Sequence, residues 1–287
     1  MREELEKMEN KAVVNRIIPF SNVDGPGNRL AIFFQGCNIR CVYCHNPETI
    51  NHCINCGECV IKCPTKAIKN IDGKVNFEEK VCAECDQCIR TCRFNSSPRT
   101  TLYSAQELYN IIDEYKLFIR GITVSGGEPT LRADFITELF KMVRPLGLTC
   151  FVDTNGFFDK DEIAELIKVT DKFMVDIKAV DKIQSLCETK LKNNIENLKY
   201  LLSMDKVYEV RTVLIEDYMD IENTVTTVAN ILKDYPEVIY KLIRVHAAGL
   251  SDAEKDKIKA KIPSEAYVRQ LAEKVKDIGV KNIELII

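Results

Sequence analysis

No stretch of the sequence stays apolar long enough to cross a bilayer, which excludes a helical membrane span. A basic excess is missing as well. The 40 Lys and Arg against 43 Asp and Glu leave a net charge of −3, which argues against nucleic acid as a partner. The opening Met-Arg-Glu-Glu-Leu-Glu-Lys is charged and helix-like and has no apolar leader region, so the chain reads as cytoplasmic. A reducing compartment in turn excludes a disulfide framework for the 13 cysteines. Ordinary charge content and 46% hydrophobic residues over 287 positions suit one large α/β domain plus a smaller module.

Cysteine is where the composition departs from the ordinary. Eleven of the thirteen fall between Cys37 and Cys92, leaving Cys150 and Cys187 outside, where they read as small buried apolar residues. Clustering of this kind suits metal ligation, in which several thiolates converge on one site.

Along the chain, Val13–Phe20 reads as a short strand, Asp24-Gly-Pro-Gly27 as a turn and Leu30–Phe34 as a buried parallel strand. The cysteine-rich stretch runs to about residue 98 with little apolar periodicity, so ligands rather than a core must organise it. From residue 103 strands and helices alternate. Ser104-Ala-Gln-Glu107 is a capping box opening a helix, and strands are expected near residues 122–125, 148–152, 173–177, 208–214, 240–245 and 282–287. The alternation predicts an α/β fold with a parallel sheet flanked by helices. Six strands before the last helix are too few for a complete eight-stranded barrel, so a partial (β/α)6 TIM-like barrel is expected.

Cys37-Asn-Ile-Arg-Cys41-Val-Tyr-Cys44 follows a buried strand directly. Three thiolates on a tight loop can hold three irons of a 4Fe–4S cluster. Electron-carrying clusters take four cysteines, so the fourth iron would stay open to a substrate. Cys41-Val-Tyr-Cys44-His45 also matches a c-type haem attachment pattern, but that chemistry belongs to exported proteins and leaves Cys37 unexplained. A structural zinc site completed by His45 or a further cysteine is the other alternative.

The three-cysteine loop resembles the signature of the radical S-adenosylmethionine superfamily. In that family the open iron binds the amino and carboxylate groups of the cofactor's methionine end, and the aromatic position, here Tyr43, lies near the adenine. Chemistry in such barrels gathers at the C-terminal ends of the strands. Here those ends carry Ser125-Gly-Gly-Glu-Pro129, Asp153-Thr-Asn-Gly156 and Asp176-Ile-Lys178, with Arg211 in the fifth strand and His246 closing the sixth.

Together with Asp24-Gly-Pro-Gly-Asn-Arg29, these segments resemble the glycyl radical enzyme activases from about residue 13 to the C-terminus. The resemblance implies cofactor contacts by Gly126, Gly127, Glu128, Thr154, Asn155, Lys178, Arg211 and His246. It also implies a monovalent cation held by groups matching Asp153, Thr154, Met174 and Asp176. The implied activity is reductive cleavage of S-adenosylmethionine to a 5′-deoxyadenosyl radical, which removes a glycine α-hydrogen from a partner glycyl radical enzyme. Asp24 is expected near the incoming glycine loop. Reduced flavodoxin or ferredoxin is the expected electron donor, and the chain is expected to be a monomer.

Cys53-x2-Cys56-x2-Cys59-x3-Cys63-Pro64 is a bacterial ferredoxin run, and its spacing recurs in Cys82, Cys85, Cys88 and Cys92, with Arg93 in place of the proline. The fourth cysteine of each run serves the other cluster. One cluster would use Cys53, Cys56, Cys59 and Cys92, and the other Cys82, Cys85, Cys88 and Cys63. This makes three 4Fe–4S clusters in all. The domains are accordingly a ferredoxin-like insert at 51–98 and a barrel built from 1–50 and 99–287. A radical enzyme acting on a small molecule and a non-catalytic electron carrier are the rival readings. The Asp-Gly-Pro-Gly and Asp-Ile-Lys segments argue against the first, and the open iron argues against the second.

Overall fold

The computed structural model describes residues 11–246 and 258–287; the charged, helix-like opening segment expected from the sequence lies outside them. A nine-stranded sheet organises the chain, in the order β11-β10-β9-β8-β7-β6-β2-β1-β5. β2 (Arg29–Phe34), β6 (Gly121–Gly126), β7 (Thr149–Thr154), β8 (Lys172–Asp176), β9 (Val207–Leu214), β10 (Ile239–Arg244) and β11 (Asn282–Ile286) run parallel. The sheet stays open, with β11 and β5 (Thr101–Ser104) at its two ends. This is the expected partial barrel. β1 (Lys11–Ser21) pairs antiparallel with both β2 and β5, an arrangement that local periodicity does not encode.

Why these residues form these elements follows from pattern. β2 is apolar after its first residue and buried throughout, as a central parallel strand requires. α3 (Ala105–Tyr115) opens on the expected capping box, with Ser104 and Glu107 satisfying each other's backbone N–H groups. α4 (Ala133–Val143) turns Phe135, Ile136, Leu139, Phe140 and Val143 inward at helical spacing, and α9 (Glu265–Ile278) does the same with Val268, Leu271, Ala272 and Val275. α8 (Ile221–Leu232) starts at the cap Asp220, which accepts from Asn223 N–H. Among the described residues no helix is long and apolar enough to cross a membrane.

Residues 51–98 contain α1 (Glu58–Lys62), the hairpin β3 (Ile68–Ile71) to β4 (Lys74–Phe77), and α2 (Gln87–Thr91). This stretch has its own small apolar cluster around Cys59, Ile68 and Cys88, separate from the main core. Asn51 pins its two ends together: its N–H donates to Asn95 O at 2.9 Å and its Nδ2 to Phe94 O at 2.8 Å.

The lower part of the barrel is held by one buried cation. Arg29 is fully enclosed and its guanidinium donates to Thr123 Oγ1 (2.7 Å), Ile122 O (2.7 Å), Thr149 Oγ1 (2.9 Å) and Thr149 O (3.0 Å), while stacking on Phe151 at 4.1 Å. Burial lowers its pKa to about 10, still well above neutrality, so the charge persists. Thr123 Oγ1 passes the restraint on by donating to Asp24 O at 2.6 Å, which fixes the Asp24–Gly27 turn across the barrel. Arg29→Met keeps the length but leaves these acceptors without a donor. We expect it to lower unfolding free energy by about 3 kcal/mol, read by thermal or denaturant melting.

Candidate active site

A cavity of about 480 Å³ opens at the C-terminal ends of the parallel strands. Its walls bring together Cys37, Cys41 and Cys44 from the loop after β2, Gly126 and Gly127 at the end of β6, Asp153–Asn155 at the end of β7, Asp176 and Lys178 at the end of β8, Arg211 of β9, and His246 beyond β10. Asp24, Tyr43, His45 and Ser125 complete the polar lining. A larger cleft of about 800 Å³ lies outside the barrel beside residues 130–135 and 157–163. It contains no thiol and neither of the buried ion-paired cations, Lys178 and Arg211, so the chemistry belongs to the smaller cavity.

Glycine places the cysteine loop. Gly126 has φ +114°, and a Cβ there would lie 2.3 Å from Phe34 N and O; a Cβ on Gly127 would lie 2.0 Å from Gly36 O. Only bare backbone can sit this close. Two bonds cross the contact from the same side, with Gly127 N–H donating to Phe34 O (3.0 Å) and Glu128 N–H to Gly36 O (2.8 Å). Ile39 and Tyr43 anchor the loop in the core, and Asn155 Nδ2 ties it to β7 through Asn38 Oδ1 at 2.8 Å.

Among the described residues no three His, Cys, Asp or Glu groups converge as the ligands of a single metal ion would. The three thiols line one cavity, and in a polynuclear group each thiolate meets its own iron rather than converging on a single ion. Burial pushes the Cys37 thiol up to about 12 and the Cys44 thiol to about 11, so a cationic group must accompany ionised sulfurs here. The Tyr43 hydroxyl and His45 Nε2 are buried beside the thiols without a hydrogen-bond partner, which fits a cavity shaped for a bound group.

Facing the thiols is a buried charge network. Arg211 stands between two carboxylates: its Nε donates to Asp176 Oδ1 at 2.7 Å and its NH2 group to Asp153. Lys178 Nζ donates to the other Asp176 oxygen at 2.7 Å and lies 5.8 Å from the Tyr43 ring centre. Burial opposes ionisation of Asp176, but Arg211 and Lys178 outweigh it and bring its pKa down to about 2. Asp153 has no lysine of its own; burial, with Asp176 nearby, pushes it up to about 6 against the pull of Arg211. Met174, implied as a cation contact, is fully buried in β8.

Glu128 stands behind the wall rather than in it. Its buried carboxylate accepts from Thr130 Oγ1 (2.6 Å), Thr154 Oγ1 (2.7 Å) and Asn155 N–H (2.8 Å). Glu128 is not among the residues lining the cavity, and its enclosed carboxylate braces Thr154 and Asn155, which are. His45 is drawn in by stacking on His246, ring centres 4.0 Å apart. In the sequence His45 bears only on haem and zinc patterns, and Cys187 has the character of a buried apolar residue. The fold brings Cys187, at the end of α6 (Ile183–Cys187), to the loop, its Sγ 3.5 Å from Cys41 Sγ. No local signal marks that contact, which spans 146 positions.

The two four-cysteine runs form a structural repeat. Asn55, Gly57 and Lys66 are left-handed, as are Glu84, Asp86 and Asn95 at equivalent places. Five-residue helices follow Gly57 and Asp86 and end at Cys63 and Cys92 in matching extended conformations. Asn55 N–H donates to Cys53 Sγ and Glu84 N–H to Cys82 Sγ, both at 3.4 Å. Cys53, Cys56 and Cys59 line one small cavity with Cys92 from the other run. Arg93, in the place of the first run's proline, pairs with Glu58 at 2.6 Å.

Residues 31–227 match the family model described as the radical SAM superfamily. The chain belongs to that superfamily. This radical SAM protein is 36% identical to a provisionally named glycyl-radical enzyme activating enzyme of Haemophilus influenzae, over 94% of this chain and 95% of that one. It is 30% identical to the trans-4-hydroxy-L-proline dehydratase activating enzyme of Clostridioides difficile, covering 89% and 90% of the two chains. Within the superfamily it is thus an enzyme of the glycyl-radical enzyme activating type. Escherichia coli QueE shares the fold, with TM-score 0.56 at 12% identity over 99% of this chain and 97% of QueE. So does Streptococcus suis SuiB bound to precursor peptide SuiA, with TM-score 0.59 at 14% identity over 99% of this chain and 51% of SuiB.

Two outcomes test this geometry. Gly127→Ala forces backbone apart at Gly36 and should cost about 1–3 kcal/mol, seen as a lower melting temperature under anaerobic conditions. Burial, with help from His246, lowers the His45 pKa from 6.5 to about 4. The unfolded chain therefore binds more protons between those values, and the stability from keeping His45 neutral is lost as pH falls from 6.5 through 4. Denaturant unfolding at pH 7 and pH 4.5 should show a larger loss in the wild type than in His45→Gln; equal losses would refute the assignment.

Proposed function

We propose that this chain activates a partner glycyl radical enzyme, by reductive cleavage of S-adenosylmethionine in the barrel-end cavity. The observation that carries the reading is that three free thiols and a buried set of paired charges share the walls of one cavity. Cys37, Cys41 and Cys44 would hold a 4Fe–4S cluster, which would supply one electron for cleavage of S-adenosylmethionine to methionine and a 5′-deoxyadenosyl radical. The other parts of the site belong to the protein itself. Gly126 and Gly127 leave room for a ligand's polar end to meet backbone. Lys178, held by Asp176, offers a fixed cation to a carboxylate, while Arg211 and His246 line the same wall. Thr154 and Asn155 are held in place by Glu128. Tyr43 offers a ring for the adenine. A monovalent cation near Asp153, Thr154, Met174 and Asp176 would have to share the carboxylates with Arg211.

The sheet's free edges support entry of a glycine-bearing loop of the partner from the open side of the barrel, with Asp24 at the cavity rim. The repeated backbone of residues 51–98, their separate apolar cluster and the meeting of Cys92 with the first run support a ferredoxin-like module at 51–98, inserted between barrel segments 1–50 and 99–287. Its two clusters would be held by Cys53, Cys56, Cys59 and Cys92 and by Cys82, Cys85, Cys88 and Cys63. They have no open iron, which suits electron transfer with reduced flavodoxin or ferredoxin as the donor.

Anaerobic iron and sulfide quantitation with EPR of the dithionite-reduced protein tests the reading. About twelve irons per chain are expected, with one signal altered by S-adenosylmethionine. Cys44→Ala should lose about four irons and the altered signal together. About eight irons and no response in the wild type would leave the insert standing and remove the radical chemistry.

A further inference from the structure

Cys187 lies 146 positions from Cys41 in sequence, yet the two segments are zipped together. Arg40 N–H donates to Cys187 O at 2.8 Å and Val42 N–H to Leu186 O at 3.0 Å, one bond on each side of Cys41. Between them the two sulfurs meet at 3.5 Å, a normal separation for a hydrogen bond from a thiol to sulfur. Cys187 is fully buried, and Lys178, Cys37 and Cys44 are close enough to act on its thiol electrostatically. The Cys41 thiol donates this bond to the Cys187 sulfur, so Cys187 meets Cys41 with a polar thiol. A packing residue would serve there without one.

The donor of this bond is decided by ligation. Once the Cys41 sulfur is a thiolate bound to iron it carries no proton, and the one proton left between the two sulfurs belongs to Cys187. A hydrogen bond to a ligating sulfur stabilises the more negative, reduced state and so raises the reduction potential. In a buried site of low dielectric even a weak thiol donor counts. Cys37 is approached from the other side by Asn155 Nδ2 at 3.9 Å, so two of the three loop sulfurs have side-chain donors from distant elements.

We propose that Cys187 is a positioning residue for the catalytic centre, its thiol donating a hydrogen bond to the Cys41 thiolate and raising the potential at which that centre accepts its electron. The inference rests on the cluster assignment to Cys37, Cys41 and Cys44.

The test is an anaerobic redox titration of the full-length reconstituted protein, following the EPR signal that responds to S-adenosylmethionine. Cys187→Ala and Cys187→Val should retain wild-type iron content and move the midpoint to more negative potential. Val fills the space that Ala leaves, so a common shift separates the lost donor from a packing defect. Cys187→Ser, whose hydroxyl still donates, should stay near the wild-type midpoint. Unchanged midpoints in Ala and Val at full iron content would overturn the proposal, as would a Ser variant that shifts as far as Ala. A wild-type protein with no S-adenosylmethionine-responsive signal would instead overturn the cluster assignment, which keeps the two failures apart.

Discussion

The site depends on one contact between bare stretches of backbone. β2 and β6 run in parallel register from Arg29 opposite Gly121 to Phe34 opposite Gly126, and the pairing continues past their ends into the Gly127 and Glu128 bonds to Phe34 and Gly36. The cysteine loop springs from one side of this junction and the Gly126–Gly127 turn from the other. Any side chain on either glycine would separate them. The position of three thiols relative to the strand ends is thus set by the absence of Cβ atoms at two residues. Glu128 makes the junction rigid by binding Thr130, Thr154 and Asn155 and so couples β6 to β7.

Around this junction the charges are arranged by competition. Asp153 and Asp176 both hydrogen-bond one guanidinium, Glu209 lies 3.6 Å from it, and Lys178 sides with Asp176. The result is one firmly ionised carboxylate and one poised near pH 6. A ligand carrying both a cation and an anion, such as an amino acid end, can meet such a network without leaving a net buried charge. Lower in the barrel, Glu209 and Lys241 form a further pair at 2.7 Å, and Arg29 satisfies its charge with neutral oxygens and an aromatic face instead.

Much of the fold was legible beforehand because strand and helix signals are local. The six barrel strands, the Ser104 capping box and the terminal strand follow from periodicity and cap chemistry, and their alternation implies parallel pairing. The antiparallel edge formed by β1 and β5 was not legible, because a four-residue strand such as Thr101–Ser104 has no pattern of its own and is defined by its partner. Likewise the hairpin within residues 51–98 has strands of four residues each and is largely exposed, so the alternation of Lys74-Val-Asn-Phe77 is too short to mark a strand.

Spacing along the chain determined the three-cysteine loop, the two four-cysteine runs and the polar residues at successive strand ends, because ligand spacing and strand order are properties of neighbouring residues. Tertiary structure alone decided that Glu128 braces the wall rather than lining it, that Arg211 is shared between two carboxylates, that His45 stacks on His246, and that Cys187 meets Cys41. Each of these joins elements tens to more than a hundred residues apart. Their distances are set by barrel curvature and by the backbone contact at Gly127, and no local pattern of residues carries that information.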